Sequence, residues 1–235
     1  MERAALKDKV CIVTGASQGT GKAIARVLYE SGAWVVLVSR CEAKLAVVRD
    51  EMGSPETVWT FAADITCSER VDELVREVTQ RYGRIDLLVN NVGGGLKKEL
   101  VETSDEDWQH LLDINLTSTF NCCRAVLPVM RQQGGGMIIN IASKAGRVGE
   151  GDFAAYCAVK HGVVGLTRAL ADSEGPHGIR INAICPGPIA TEKMKSLYPT
   201  IDKTEWSTPE DVAQIVLYLA SPAGHAMQGK LVDLF

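Results

Sequence analysis

Apolar runs of strand length alternate with helical patterns along the whole chain. KVCIVT, WVVLVS, VWTFAA, IDLLVN, MIINIA, IRINAI and KLVDLF are nearly unbroken and rich in Val and Ile. A strand exposed on one face would alternate apolar and polar residues, so runs like these predict strands covered on both faces. Between them, GKAIARVLYESG sets Ala23, Ile24, Val27 and Leu28 on one helical face and stops at Gly32. ERVDELVREVTQRYG repeats the spacing with Val71, Leu74, Val75 and Val78. SDEDWQHLLDIN opens on a Ser-x-x-Asp cap, and TPEDVAQIVLYLAS places Pro209 behind a capping Thr208. The glycines at 134–136 read as a helix stop before the next strand. Such alternation requires parallel strands joined by right-handed crossovers. The chain is therefore expected to be α/β, a single doubly wound domain over residues 1–235. Its parallel sheet should have about seven strands with helices on both faces.

Composition narrows the functions open to such a domain. A net charge of −4 leaves no basic face for nucleic-acid phosphates. No apolar run approaches the ~20 residues that span a bilayer, and MERAALKDKV lacks the apolar core of a signal peptide. The expectation is a soluble cytoplasmic protein with no nucleic-acid or membrane partner. The seven cysteines are scattered without a Cys-x-x-Cys, as expected of free thiols, and no histidine pair has zinc-site spacing. No metal is expected.

Two turns carry chemistry. The first strand ends in TGASQGTG, so Gly15, Gly19 and Gly21 lead into the first helix. Glycines there allow a tight turn and close approach to a pyrophosphate, which the helix N-terminus attracts. The second strand ends in SRCEAK, with Ser39 and Arg40 where an NAD site usually has a carboxylate for the ribose hydroxyls. A hydroxyl and a guanidinium suit a 2′-phosphate, which favours NADP(H) over NAD.

With this loop, NNVG after the fourth strand and Tyr-x-x-x-Lys in AAYCAVKHG, the sequence resembles the short-chain dehydrogenase/reductase family over nearly its full length. Thr14, Gly15, Gly19 and Gly21 match the family's glycine pattern. Asp64 matches its adenine-side aspartate, and Asn90, Asn91, Val92 and Gly93 match its Asn-Asn-Ala-Gly with one alanine changed. Asn115, Ser143, Tyr156 and Lys160 match its catalytic residues, and Pro186, Gly187, Ile189 and Thr191 match its Pro-Gly motif. The resemblance implies a Rossmann fold with the following cofactor contacts. Ser17 and Thr20 join the glycine loop, Asp64 and Ile65 flank adenine, and Asn91 and Gly93 line the adenosine and phosphate side. Pro186, Gly187, Ile189 and Thr191 lie at the nicotinamide end, and Tyr156 and Lys160 also touch the cofactor. The segment between Thr191 and Trp206, where relatives carry a substrate lid, is short, and QGKLVDLF lacks their glycine-rich tail.

Carbonyl reduction by hydride needs a proton donor. A phenol has a pKa near ~10, which a nearby cation lowers. Residues four apart share a helix face, so Lys160 is expected to act on Tyr156 in this way. Ser143 would polarise the substrate oxygen. The resemblance gives Asn115 a water-holding place in a proton relay and Lys160 a contact to the nicotinamide ribose. The leading function is an NADPH-dependent reductase of a ketone or aldehyde, a small-molecule carbonyl/alcohol enzyme. PHGIRINAICPG has the texture of 3-oxoacyl-thioester reductases, although Asp172 and Glu174 put acidic groups where an acyl carrier would prefer basic ones. The alternatives are a polyol, steroid or aromatic-alcohol dehydrogenase, and a catalytically silent NADP(H)-sensing protein. Substrate contacts are expected from residues 94–96, 144–153 and 188–206.

The helical stretches 104–131 and 153–173 are long and rich in small and apolar residues, and the family commonly pairs them across subunits. A homo-oligomer is expected, a tetramer built on two-fold interfaces. Light scattering at micromolar concentration should return a multiple of the single-chain mass, and the mass of one chain would refute the expectation.

Overall fold

Each of the seven Val- and Ile-rich runs forms a strand in the computed structural model, which describes residues 5–53, 56–197, 199, 200, 202 and 204–235. These are β1 (Val10–Thr14), β2 (Trp34–Ser39), β3 (Val58–Ala62), β4 (Leu87–Asn90), β5 (Gly136–Ile141), β6 (Ile179–Pro186) and β7 (Leu231–Leu234). They make one sheet in the order β3-β2-β1-β4-β5-β6-β7, and every pairing is parallel. The helices are α1 (Gly19–Glu30), α2 (Glu42–Met52), α3 (Ser68–Tyr82), α4 (Asp105–Leu112), α5 (Ser118–Gln132), α6 (Ala154–Glu174), α7 (Glu192–Leu197) and α8 (Pro209–Ala220).

The inner strands β2, β1, β4, β5 and β6 bury both faces, while the edge strands β3 and β7 are only partly buried. Side chains alternate across a strand, so Val13, Leu37, Val89 and Ile139 meet Ile24, Leu28, Val212 and Val216 of α1 and α8. Their neighbours Ile12, Val36, Leu88 and Ile138 meet Leu74, Val78, Val126 and Met130 of α3 and α5.

Local chemistry sets the helix ends. Ser104 Oγ accepts from Asp107 N at 3.1 Å while Asp107 Oδ2 accepts from Ser104 N at 3.2 Å. Thr208 and Asp211 repeat this box ahead of Pro209. Gly134 turns the chain out of α5 with φ +78°. Between α4 and α5, residues Asp113–Thr117 wind as a π-helix, which the sequence pattern did not anticipate. Glu174, expected to present an acidic surface, is instead buried at the end of α6, and Arg131 of α5 grips it through bonds of 2.7 and 2.6 Å. Among the described residues, no helix is long and apolar enough to cross a membrane.

A buried polar ladder ties the sheet to α6. Asn90 and Asn140 are register partners on β4 and β5, and Asn90 Nδ2 donates to Asn140 Oδ1 at 2.9 Å. Asn140 Nδ2 donates in turn to Thr167 Oγ1 at 2.9 Å. Truncating Asn140 leaves the buried Asn90 amide only its longer contact to Cys123 Sγ at 3.4 Å, so Asn140→Ala should cost about 2–4 kcal/mol, from two lost bonds and one unsatisfied N–H. Urea unfolding with an unchanged m-value would show it, and a loss below about 1 kcal/mol would contradict the role given to the ladder.

Candidate active site

Strand order reverses between β1 and β4, and their carboxyl ends frame the crevice where such sheets bind ligands. One hydroxyl closes its floor. Thr14 Oγ1 donates to Val89 O at 3.3 Å and accepts from Asn91 N at 2.9 Å and Val92 N at 3.3 Å. Asn91 Nδ2 reaches back to Thr14 O at 3.0 Å. The loop above needs glycine for two different reasons. Gly15 and Gly19 have φ of +67° and +52°, where a side chain is strained. Gly21 instead lies against the Gly15 carbonyl, and a Cβ on it would fall 2.6 Å from Asn91 Nδ2. Gln18 puts no side-chain bond on α1, and the first turn holds no acid. The free N–H groups and positive end of α1 therefore open between Ser17 and the buried Thr20, a cradle fitted to a pyrophosphate.

At the end of β2, Ser39 Oγ accepts from Cys41 N at 3.3 Å and Arg40 is exposed. Arg40 lies near enough to Asp64 to help hold that carboxyl below its ordinary range, behind the larger effect of the Thr66 N–H that donates to it at 3.0 Å. Asp64 thus shapes its own turn, accepting from the Thr66 N–H and hydroxyl. Ile65, expected against adenine, is 4% exposed and packs with Val38 and Phe61 in the core.

The candidate catalytic side chains come from three segments. Ser143 follows β5, with its Oγ accepting from Ala145 N at 3.1 Å. Tyr156 and Lys160 sit on α6, and the Lys160 ammonium lies 5.8 Å from the Tyr156 ring centroid. Asn115 lies in the π-helical turn and is fully buried. Gly93 brings the last two together. A Cβ there would lie 2.7 Å from Asn115 Oδ1 and 3.1 Å from Lys160 Nζ. Asn115 Nδ2 donates to Gly94 O at 3.0 Å and Leu111 O at 2.9 Å, and Oδ1 accepts from Gly94 N at 3.2 Å. Both its donors are taken, so what it can offer a relay is an acceptor oxygen.

The electrostatics differ from the expectation that Lys160 lowers the Tyr156 pKa. Burial pushes the phenol above its ordinary value, and the Ser143 hydroxyl, not the lysine, opposes the rise. Lys160, 3% exposed, is itself pushed down to about 8 by burial. The ammonium donates to Ile141 O at 3.1 Å. The result is a tyrosine that holds its proton, which suits a donor.

Pro186 ends β6, and Gly187 N donates to Leu234 O at 2.9 Å. Ile189 packs on the core and bridges to Ser207, and Thr191 Oγ1 accepts from Met194 N at 3.2 Å at the start of α7. The Thr191 methyl would meet a Cβ on Gly19 at 3.3 Å, so this segment crosses above the phosphate loop. Of the stretch 188–206 expected to touch substrate, residues 198, 201 and 203 lie outside those described. On the other rim, Gly95 faces Phe153 and Tyr156. Sequence reasoning did not single out Cys185, a buried thiol raised to about 11 by burial and close to Ser143 and Lys160. In the sequence it was only one of seven scattered cysteines. Among the described residues, no cluster of His, Cys, Asp and Glu could hold a metal.

The short chain dehydrogenase family matches residues 9–202. The 3-oxoacyl-(acyl-carrier-protein) reductase FabG of Thermotoga maritima is 34% identical, over 97% of this chain and 97% of its own. The 3-oxoacyl-(acyl-carrier-protein) reductase of a Synechocystis strain is 36% identical, over 98% and 96%. Among solved structures, gox2181 superposes with a TM-score of 0.91 at 33% identity, covering 97% of this chain and 95% of its own. A short chain dehydrogenase from Bacillus anthracis gives 0.89 at 31%, with the same coverage. A crevice fitted to a dinucleotide, a Tyr-Lys pair at its inner end and these relatives place the chain in the short-chain dehydrogenase/reductase family, as an oxidoreductase that uses a nicotinamide cofactor on an alcohol or keto group.

Proposed function

We propose that this protein reduces the keto group of a 3-oxoacyl thioester with NADPH, Tyr156 supplying the proton. The observation that carries the reading is the partly buried Tyr156 on α6, with its phenol beside the Ser143 hydroxyl and Lys160 one helical turn away. When bound, the nicotinamide supplies a hydride to the carbonyl carbon. The chain's own groups manage the oxygen. Ser143 Oγ and the Tyr156 hydroxyl converge on it, and their hydrogen bonds strengthen as negative charge develops there. Tyr156 then passes its proton to that oxygen. Lys160, buried and held by Ile141 O, has two further N–H donors, placed beside Gly93 to orient a ribose hydroxyl. Asn115 holds the Gly94 backbone so that Gly93 stays against Lys160.

The thioester class is supported by relatives named as 3-oxoacyl-(acyl-carrier-protein) reductases in three organisms. NADPH is supported by Ser39 and Arg40, which stand where a carboxylate would repel a 2′-phosphate.

The proton donor is tested by Tyr156→Phe, which leaves no cavity and should preserve folding and NADPH binding. Turnover of a short 3-oxoacyl thioester, followed by loss of reduced-nicotinamide absorbance, should fall ~10²–10⁴-fold. Lys160→Ala should lose turnover and NADPH affinity together. Tyr156→Phe keeping more than about a tenth of turnover would sink the assignment.

The cofactor is tested by kcat/KM with both nucleotides. NADPH should be preferred, and Arg40→Ala should cut its kcat/KM by about tenfold or more, the scale of a charge-assisted hydrogen bond, while hardly touching NADH. Equal use of NADH by the wild type would contradict the reading of this turn.

A further inference from the structure

Ser143 stands on a short turn whose internal bonds fix its shape but not its seat. Gly146 N donates to Ser143 O at 2.9 Å, and Arg147 N to Lys144 O at 2.8 Å. The turn's inner side rests on α6, since a Cβ on Gly146 would lie 2.8 Å from Lys160 O. Its outer side is held from the far edge of the sheet. Arg147 Nε and Nη2 donate to the two carboxylate oxygens of Asp233 at 2.9 and 3.2 Å. Asp233 lies on β7 in register with Cys185 of β6, whose thiol neighbours Ser143 and Lys160. The same end of β7 makes two more contacts with the site. The Lys144 ammonium lies 5.8 Å from the Phe235 ring centroid, and Phe235 Cβ is 3.0 Å from where a Cβ on Gly187 would be.

We infer that Asp233 and Arg147 are positioning residues for the reaction, seating the Ser143 turn so that its hydroxyl meets the substrate oxygen together with Tyr156. The fork of a guanidinium on a carboxylate fixes direction as well as distance, which a single lysine contact does not. The pair is half-exposed, so its contribution lies in geometry more than in stability. The pyrophosphate end of the cradle lies on β1, β4 and α1, with β5 and β6 between it and β7 in the sheet. Loosening the pair should therefore leave cofactor binding alone and slow the chemical step. The inference rests on Ser143 acting on the substrate oxygen, as proposed above.

The test is a double-mutant cycle on the full chain, read as the single-turnover rate of 3-oxoacyl thioester reduction and as NADPH affinity by fluorescence. Asp233→Ala should slow the single turnover about 10- to 100-fold, the scale of a small misplacement at a reacting group. NADPH affinity and the thermal midpoint should stay near wild type. In a Ser143→Ala background the same substitution should cost nothing further, because the group it positions is gone. Arg147→Asp with Asp233→Arg should recover part of the rate lost by either single change. If Asp233→Ala unfolds the protein, Arg147→Lys, which keeps the charge and loses the fork, should still show the rate loss. No loss in the wild-type background, or an equal loss in the Ser143→Ala background, would overturn the inference and leave the role of Ser143 standing. An unaffected single turnover in Ser143→Ala itself would overturn the functional reading, and this inference with it.

Discussion

The close approach at Gly93 is the constraint on which the site depends. A lysine ammonium is costly to bury unless something holds it, and the interior offers Lys160 one carbonyl and a gap. That gap exists because Gly93 has no side chain, and Asn115 keeps Gly93 in place by gripping Gly94 from both sides. Move any of the three and the ammonium loses its position over the inner end of the crevice. Every larger feature serves this contact. β4 delivers Gly93, α6 delivers Lys160, and the helical rod from α4 to α5 delivers Asn115. The Asn90–Asn140–Thr167 ladder keeps β4, β5 and α6 at the distances the contact requires.

The phosphate end is built differently. Its groups are backbone N–H donors at the start of α1, and what side chains do there is mostly to stay away. Thr14 and Asn91 form the exception, stitching β1 to β4 beneath the loop. The two ends of the crevice thus share one floor. A polar stitch replaces a sheet ladder where the strands finish and their backbone groups would otherwise be orphaned.

The fold was legible in the sequence because its signals were strong and local. A sheet whose five inner strands are buried on both faces cannot be mistaken for a half-exposed one, and the Ser104 and Thr208 caps declare themselves at fixed offsets. The site residues were legible as a set through their spacing along the chain and their match to a family pattern. What was illegible was non-local. Nothing in Tyr156-x-x-x-Lys160 reveals that burial raises the phenol while the ammonium sits beside the ring, since both depend on what α6 packs against. That Ile65, expected beside adenine, also packs in the core depends on neighbours such as Val38 and Phe61 that its own segment does not reveal. The burial of Glu174 depends on Arg131, 43 positions away. The Arg147–Asp233 pair spans 86 positions and meets only after the sheet has closed.

The π-helical turn at Asp113–Thr117 has a consequence for how this segment can vary. A π turn carries one residue more than an α-helix needs, at some cost in local hydrogen bonding. Deleting a single residue there would let α4 run into α5 as one regular helix, a gain by every local measure. It would also rotate Asn115 by about 100°, the angle of one helical step, and carry its amide away from Gly94. The stretch is therefore poised so that the shortening most favourable to the helix is the one that dismantles the crevice. Length, as much as the identity of Asn115, is what this part of the chain has to keep.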